Sequence, residues 1–160
     1  MNSNKLIEQL NLLPHPEGGY YKETYRSKVD LVNDNQQIRQ VSTSIYYLLE
    51  ENDSSHFHRI QSDELWYFHQ GAALEILYFE GQELKCIYLG NDIDSGEVPQ
   101  AMIPANTWFA SHLKNETGFA LVSCSVAPGF SFEDFELAKR TALTSEFPTH
   151  KAIIEKFTTD

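Results

Sequence analysis

Cysteine is scarce in this sequence. There are two in 160 residues, Cys86 and Cys124, and no CxxC pair. That speaks against a disulfide framework and against a thiolate metal site. The apolar runs around them, LKCIYL and LVSCSV, predict two buried free thiols in a reducing compartment, with the cytoplasm as the default location. Positive charge is also in short supply: 12 Lys and Arg face 23 Asp and Glu, for a formal net charge of −11. A uniformly negative field repels phosphates, which excludes nucleic acid and anionic membrane surfaces as partners. A small phosphorylated molecule stays compatible with a pocket carrying local Arg or Lys. Long hydrophobic runs are missing, so no transmembrane helix is expected. The opening MNSNKLIEQLNLLPHPEGG lacks an apolar core and a small-residue cleavage site, and reads as mature sequence rather than a signal peptide. Internal repeats and low-complexity tracts are absent.

What is present is a core's worth of apolar side chains. Hydrophobic residues make up 41% and aromatics 12%, enough for one domain spanning residues 1–160. SNKLIEQLNLLP places Leu6, Ile7 and Leu10 on one helical face, with Ser3 or Asn4 as cap and Pro14 as the stop. From Gly19 the pattern changes to strands at turn spacing. VSTSIYYLL puts Val41, Thr43, Ile45, Tyr47 and Leu49 on one face. LEILYFE and LKCIYLG flank GQE, a hairpin signal. NDIDSGE, PAN and KNETG are further turns, and FALVSCSVA is the last long strand. FEDFELAKRTALTSEFP and THKAIIEKF then look helical, with Pro148 between them. The expectation is an all-β barrel or sandwich over about 19–130 with a helical tail over about 131–160.

The chemistry concentrates in HFHRIQSDELWYFHQG, residues 56–71. His56 and His58 are two apart, so in a regular strand they project from one face while Phe57 points away. Beyond the RIQSD turn, Glu64, Trp66 and Phe68 share a face, and Leu65, Tyr67 and His69 share the other. If the two strands pair, two imidazoles and a carboxylate converge inside the barrel. Such a set suits a divalent transition metal (Fe, Mn, Zn or Ni). It equally suits metal-free proton transfer, because a histidine beside a carboxylate is a tunable base. A hydrogen-bonded polar cluster without metal is the third reading. Asp63 is a second candidate carboxylate, but Glu64 keeps the six-residue gap to Gly71. His15 reads as a turn residue, His69 as outward-facing, and Lys22, Arg26, Arg39 and Arg59 as surface charges.

The same stretch resembles the first motif of the cupin superfamily, carried by His56, His58, Glu64 and Gly71. Five residues separate His58 from Glu64, one more than the motif has, and Glu51 stands at the motif's leading glycine. PANTWFASHL resembles the second motif, with Pro104 in place and Asn106 where a glycine stands, a position that accepts positive φ. Phe109 holds the place of the fourth metal ligand, and His112 has the opposite parity. The segments LNLLPHPEGGYYKETYRS, HFHRIQSDELWYFHQG and APGFSFEDFELAKR together are similar to the cupin-5 type, single-domain proteins of unknown function. The resemblance implies a double-stranded β-helix, or jelly-roll, barrel with short helices at both ends, and a homodimer.

More distantly, the chain is similar to dTDP-4-dehydrorhamnose 3,5-epimerases. Tyr21 and Glu23 match that family's early segment, with Gly18 and Gly19 in place of its Arg-Gly, and His56 matches its base. No counterpart of its acidic Tyr stands in GFALVSCSVAPGF. The resemblance implies a barrel that binds a small sugar-like or carbonyl-bearing molecule, and the reaction type would be epimerisation or isomerisation. His56, His58 and Glu64 are the expected catalytic groups. Tyr21, Glu23, Trp66, Phe68 and Phe109 are expected ligand contacts. A metal-dependent cupin enzyme using His56, His58 and Glu64, and a non-catalytic sensor or storage barrel, are the alternatives.

Overall fold

The computed structural model describes residues 2–159. Its first element is helix α1 (Ser3–Leu10), capped one residue earlier than the sequence suggests: the Asn2 side chain accepts from the Lys5 N–H. The helix ends well before Pro14. Asn11 takes the left-handed conformation, φ 52°, and its N–H returns to the Ile7 and Glu8 carbonyls. Thirteen strands follow: β1 (Leu13–Pro14), β2 (Tyr20–Arg26), β3 (Asp30–Val32), β4 (Ile38–Gln40), β5 (Thr43–Glu50), β6 (Ser54–Arg59), β7 (Asp63–Gly71), β8 (Leu74–Glu80), β9 (Glu83–Leu89), β10 (Gln100–Ile103), β11 (Phe109–Leu113), β12 (Phe119–Ala127) and β13 (Glu136–Leu137). Helices α2 (Arg140–Glu146) and α3 (Lys151–Lys156) close the chain.

The strands form two facing antiparallel sheets. One has the order β1-β2-β5-β12-β7-β10, the other β13-β6-β11-β8-β9, and β3 with β4 makes a separate hairpin arm. This is the jelly-roll barrel of the cupins. Alternation within each strand divides the apolar side chains between inside and outside. Tyr47, Leu49, Trp66, Ile76, Phe109 and Val122 fill the barrel. Phe57, Phe79 and Trp108 face the other way and are covered by Leu143, Phe147 and Ile154 of the C-terminal helices. Leu48 and Leu121, on the outer face of the first sheet, are covered by Leu6 of α1. The terminal helices therefore exist as lids over sheet faces that are too apolar to meet water.

Five expectations shift. Thr43, Ile45, Tyr47 and Leu49 share the inward face, but Val41 lies outside the strand and is exposed. Cys124 is buried and Cys86 is exposed, on a strand whose outer face is open to solvent. The stretch 131–138 is not a helix: a short 3-10 turn at Phe132–Asp134 leads into β13, which pairs with β6. Its cause is tertiary. Arg39, expected on the surface, is buried and binds Asp134 through Nε and Nη2, both at 2.7 Å, which ties the segment across the mouth of the barrel. Finally, β6 and β7 do not pair with each other. They lie in opposite sheets, linked by the turn at 60–62.

Candidate functional site

That separation is what brings His58 and Glu64 together. β6 belongs to one wall and β7 to the other, so their inward side chains meet across the barrel. Glu64, Trp66 and Phe68 point inward as the alternation predicts, while Asp63 is exposed and accepts the Ala105 N–H at 2.8 Å. On β6 the alternation breaks. Phe109 of β11 stands opposite His58, but Ser111 stands opposite Ser55, so three steps on β6 match two on β11. The extra residue is a β-bulge. Ser55 and His58 both end on the inward side, and His56 falls out of line between them.

His56 is instead committed to the loop before β2. Its backbone N–H donates to the Glu17 carbonyl at 2.8 Å, and its Nδ1 lies 2.7 Å from the same oxygen. The loop HPEGG can approach this closely only because it carries two glycines. Gly18 has φ +109°, and a Cβ there would sit 2.0 Å from the Ser54 carbonyl oxygen. Gly19 has φ +72°, and its Cβ would meet the Leu48 carbonyl at 2.7 Å. The Tyr47 hydroxyl donates to the Gly18 carbonyl at 2.6 Å, fixing the loop from inside.

The consequence is that Glu17 enters the barrel. Its Oε2 is 2.9 Å from His58 Nε2 and 3.7 Å from His15 Nδ1. His58 Nδ1 lies 2.7 Å from the His56 carbonyl, which can only accept, so that nitrogen carries a proton. With Glu17 ionised, Nε2 donates as well, and His58 is an imidazolium. Burial alone would push the Glu17 carboxyl up. The adjacent His58 charge and hydrogen bond overcome this and hold it at about 2. Burial, the largest single influence, would lower His58, but the Glu17 charge and hydrogen bond, with the Glu64 charge and the His56 carbonyl, together outweigh it and raise the imidazole above its usual value. Glu64 is different. Burial raises it to about 7, and the opposing pull of His58 is too weak to undo this. The Cys124 thiol beside it is pushed well above the usual range, by burial first and by the Glu64 charge second. His15 is lowered by burial, against the pull of Glu17.

These groups form the wall of a cavity of about 790 Å³. Ile45, Ile60 and Val126 give it apolar sides, and Phe130, Phe132 and Phe135 of the segment after β12 close over it. Tyr21 and Glu23 line it. Trp66, Phe68 and Phe109 do not. Trp66 and Phe109 sit in the packed interior, each 1% exposed, with the Phe109 ring 4.2 Å from that of His58, and Phe68 packs half-buried against that core. Phe109 therefore closes off the ring face of His58. His112 points outward, stacks on Phe157 and lies 3.2 Å from Glu75. Sequence reasoning missed Glu17 and read His15 as a plain turn residue. The signal available was HPEGG itself, a turn whose paired glycines imply close backbone approach.

The cupin motifs imply a divalent metal, and the residues present do not fit one. His56 is displaced by the bulge, and Nε2 of His58 is held by Glu17. Among the described residues no three His, Cys, Asp or Glu side chains converge in a metal-holding arrangement. The expected triad of His56, His58 and Glu64 thus contributes two members to the cavity. The third member is Glu17.

A jelly-roll barrel of two facing antiparallel sheets around a cavity is the architecture of the cupins. A family model described as Cupin_5, cupin superfamily (DUF985), matches residues 4–138, and the chain belongs to that family. It is similar to a hypothetical protein from Leishmania major, with 32% identity, both chains covered completely and a TM-score of 0.95. It is similar to protein SO0799 from Shewanella oneidensis, with 42% identity over 99% of this chain and 98% of that one, TM-score 0.91. It is 33% identical over 150 residues to the uncharacterized protein YML079W of Saccharomyces cerevisiae, covering 84% of this chain and 74% of the relative.

Proposed function

We propose that the cavity binds a small carbonyl-bearing or sugar-like molecule and moves a proton at the carbon beside the carbonyl. The observation that carries this is Glu64: a buried carboxyl on the cavity wall, held near pH 7 by burial, where an acid/base group is most effective. As the carboxylate, Glu64 takes the α-proton and leaves an enolate. A proton delivered by solvent to the other face of that carbon, with Glu64 giving up its own proton to solvent, gives the epimer; return of the proton from Glu64 to the former carbonyl carbon of an α-hydroxy compound, whose hydroxyl proton passes to the enolate oxygen, gives an isomer. His58 has both ring nitrogens committed, so its charge acts through the field, favouring negative charge on the enolate oxygen. Glu17 holds His58 charged and in place. The base expected from the epimerase likeness, His56, has no part in this reading, because it is bonded into the loop.

The test is solvent exchange. A panel of keto sugars and 2-oxo compounds is incubated in deuterated water with the wild type and with Glu64→Gln. The wild type should introduce deuterium at the α-carbon of at least one compound, and Glu64→Gln should lose about 100-fold or more of that rate. Binding without exchange would select the sensor reading. The commitment of both His58 nitrogens within the protein favours that second reading. The free thiols support a reducing compartment, and the exposed apolar residues of the β3–β4 arm support a homodimer.

A further inference from the structure

The charges that surround the cavity restrict what can enter it. Two guanidinium groups stand at the mouth, and both are already neutralised by the chain itself. Arg26 binds Glu23 through Nε at 2.8 Å and Nη2 at 2.7 Å, and also reaches Gln40 and the Phe130 carbonyl. Arg39 binds Asp134 through two nitrogens, reaches Glu133 at 3.1 Å and donates to the Ile38 carbonyl. On the wall, the His58 imidazolium is held by Glu17, and burial favours neutral His15. Lys22 also lines the cavity, but it is exposed and sits opposite Tyr46, which packs toward α1 on the outward face of the sheet, so it belongs to the rim. Below that rim, among the described residues, each cation of the cavity wall is paired within the chain or, for His15, favoured neutral by burial. A carboxyl, Glu64, has no ion-pair partner of its own. The whole molecule adds a field of −11.

We infer that this cavity rejects anions and takes an uncharged or cationic molecule. A carboxylate or phosphate that goes past Lys22 at the rim would have to displace Glu23 or Asp134 from its bidentate arginine, or lie unpaired beside Glu64. Breaking such a pair strands a charge, and stranding a buried one is the costlier. An uncharged carbonyl or hydroxyl compound meets neither penalty, and an amine gains from Glu64. The inference rests on the reading that the cavity holds a small molecule, and it narrows the substrate class of that reading.

The experiment uses the full chain and two matched trios: phenylacetamide, phenethylamine and phenylacetate, and glucose, glucosamine and gluconate. Each is titrated at millimolar concentration while the amide resonances of Ile45, Ile60 and Val126 are followed. In at least one trio the uncharged or amino member should bind about tenfold tighter than the carboxylate. Inorganic phosphate should leave the three resonances unmoved. Glu23→Gln releases Arg26 at a half-exposed position where folding is not at stake, and should bring the carboxylate to within ~3-fold of the uncharged member. Carboxylates binding the wild type as tightly as their uncharged partners would overturn the charge selection while leaving the cavity reading intact. Silence from every compound, in wild type and variant alike, would overturn the cavity reading and this inference with it.

Discussion

At the scale of single residues, the site is a contest between burial and pairing. Glu17 and Glu64 are both buried carboxyls within reach of the His58 charge, yet one is held near 2 and the other near 7. The difference is contact: Glu17 hydrogen-bonds the imidazolium at 2.9 Å, and Glu64 feels it only through space. Replacing Glu17 by Gln removes the charge that keeps His58 protonated. The imidazole should then titrate lower than in the wild type, because burial is opposed only by the Glu64 charge and the bond to the His56 carbonyl. In the wild type the raised His58 value contributes stability that is complete below pH 6.5 and is lost as pH rises through the folded value. In Glu17→Gln that contribution should shrink. NMR titration of the His58 ring checks the first statement, and urea melts across the same pH range check the second. The variant should also lose about 3–5 kcal/mol where His58 remains charged, as expected for breaking a buried pair.

At the scale of elements, the bulge in β6 and the glycine loop beside it act as one device. The bulge turns His56 out of line, and the loop fills the vacated position with Glu17. Gly18→Ala tests the loop without touching any acid or base. A side chain at φ +109° is strained, and its Cβ would overlap the Ser54 carbonyl. Backbone strain alone costs about 1–3 kcal/mol, so a clear fall in melting temperature is expected, together with loss of the raised His58 titration as Glu17 is withdrawn. A melting curve and His58 titration both matching the wild type would show that the loop does not position Glu17. Strand existence and turns were legible from alternation and from Gly, Pro and Asn placement: the GQE hairpin, the positive φ of Asn106 and the inward run Glu64, Trp66 and Phe68 all appear in the fold. The bulge was not legible. It depends on the register with β11, and nothing within HFHR announces one extra residue. The stretch 131–138 reads as helix because its charges and aromatics have helical spacing, but Arg39, far away in sequence, draws Asp134 into the mouth.

At the scale of the molecule, the barrel leaves apolar side chains in water. Leu13, Val29, Val32 and Ile38 are each more than 60% exposed, and three of these lie on or beside the β3–β4 arm. An apolar cluster of this kind is a common mark of a protein interface. A second copy is the simplest partner, since twofold dimers are the commonest closed assembly. Light scattering should give twice the chain mass of 18.3 kDa at micromolar concentration, and Ile38→Asp with Val32→Asp should return the monomer. A wild-type monomer would remove the dimer from the account.

The sequence by itself determined the succession of short strands between helical ends, the inward face of β7 and the negative field that disfavours phosphates. Each follows from local periodicity or from composition, which need no knowledge of which strands meet. Only the tertiary structure decided the site. It placed β6 and β7 in opposite sheets, replaced His56 by Glu17, buried Arg39 against Asp134, and moved Trp66, Phe68 and Phe109 from cavity wall to core. The physical reason is that a cavity's chemistry depends on register and on pairs far apart in the chain. A slip of one residue in a strand turns a side chain from the inside to the outside, and a buried charge goes wherever its partner is.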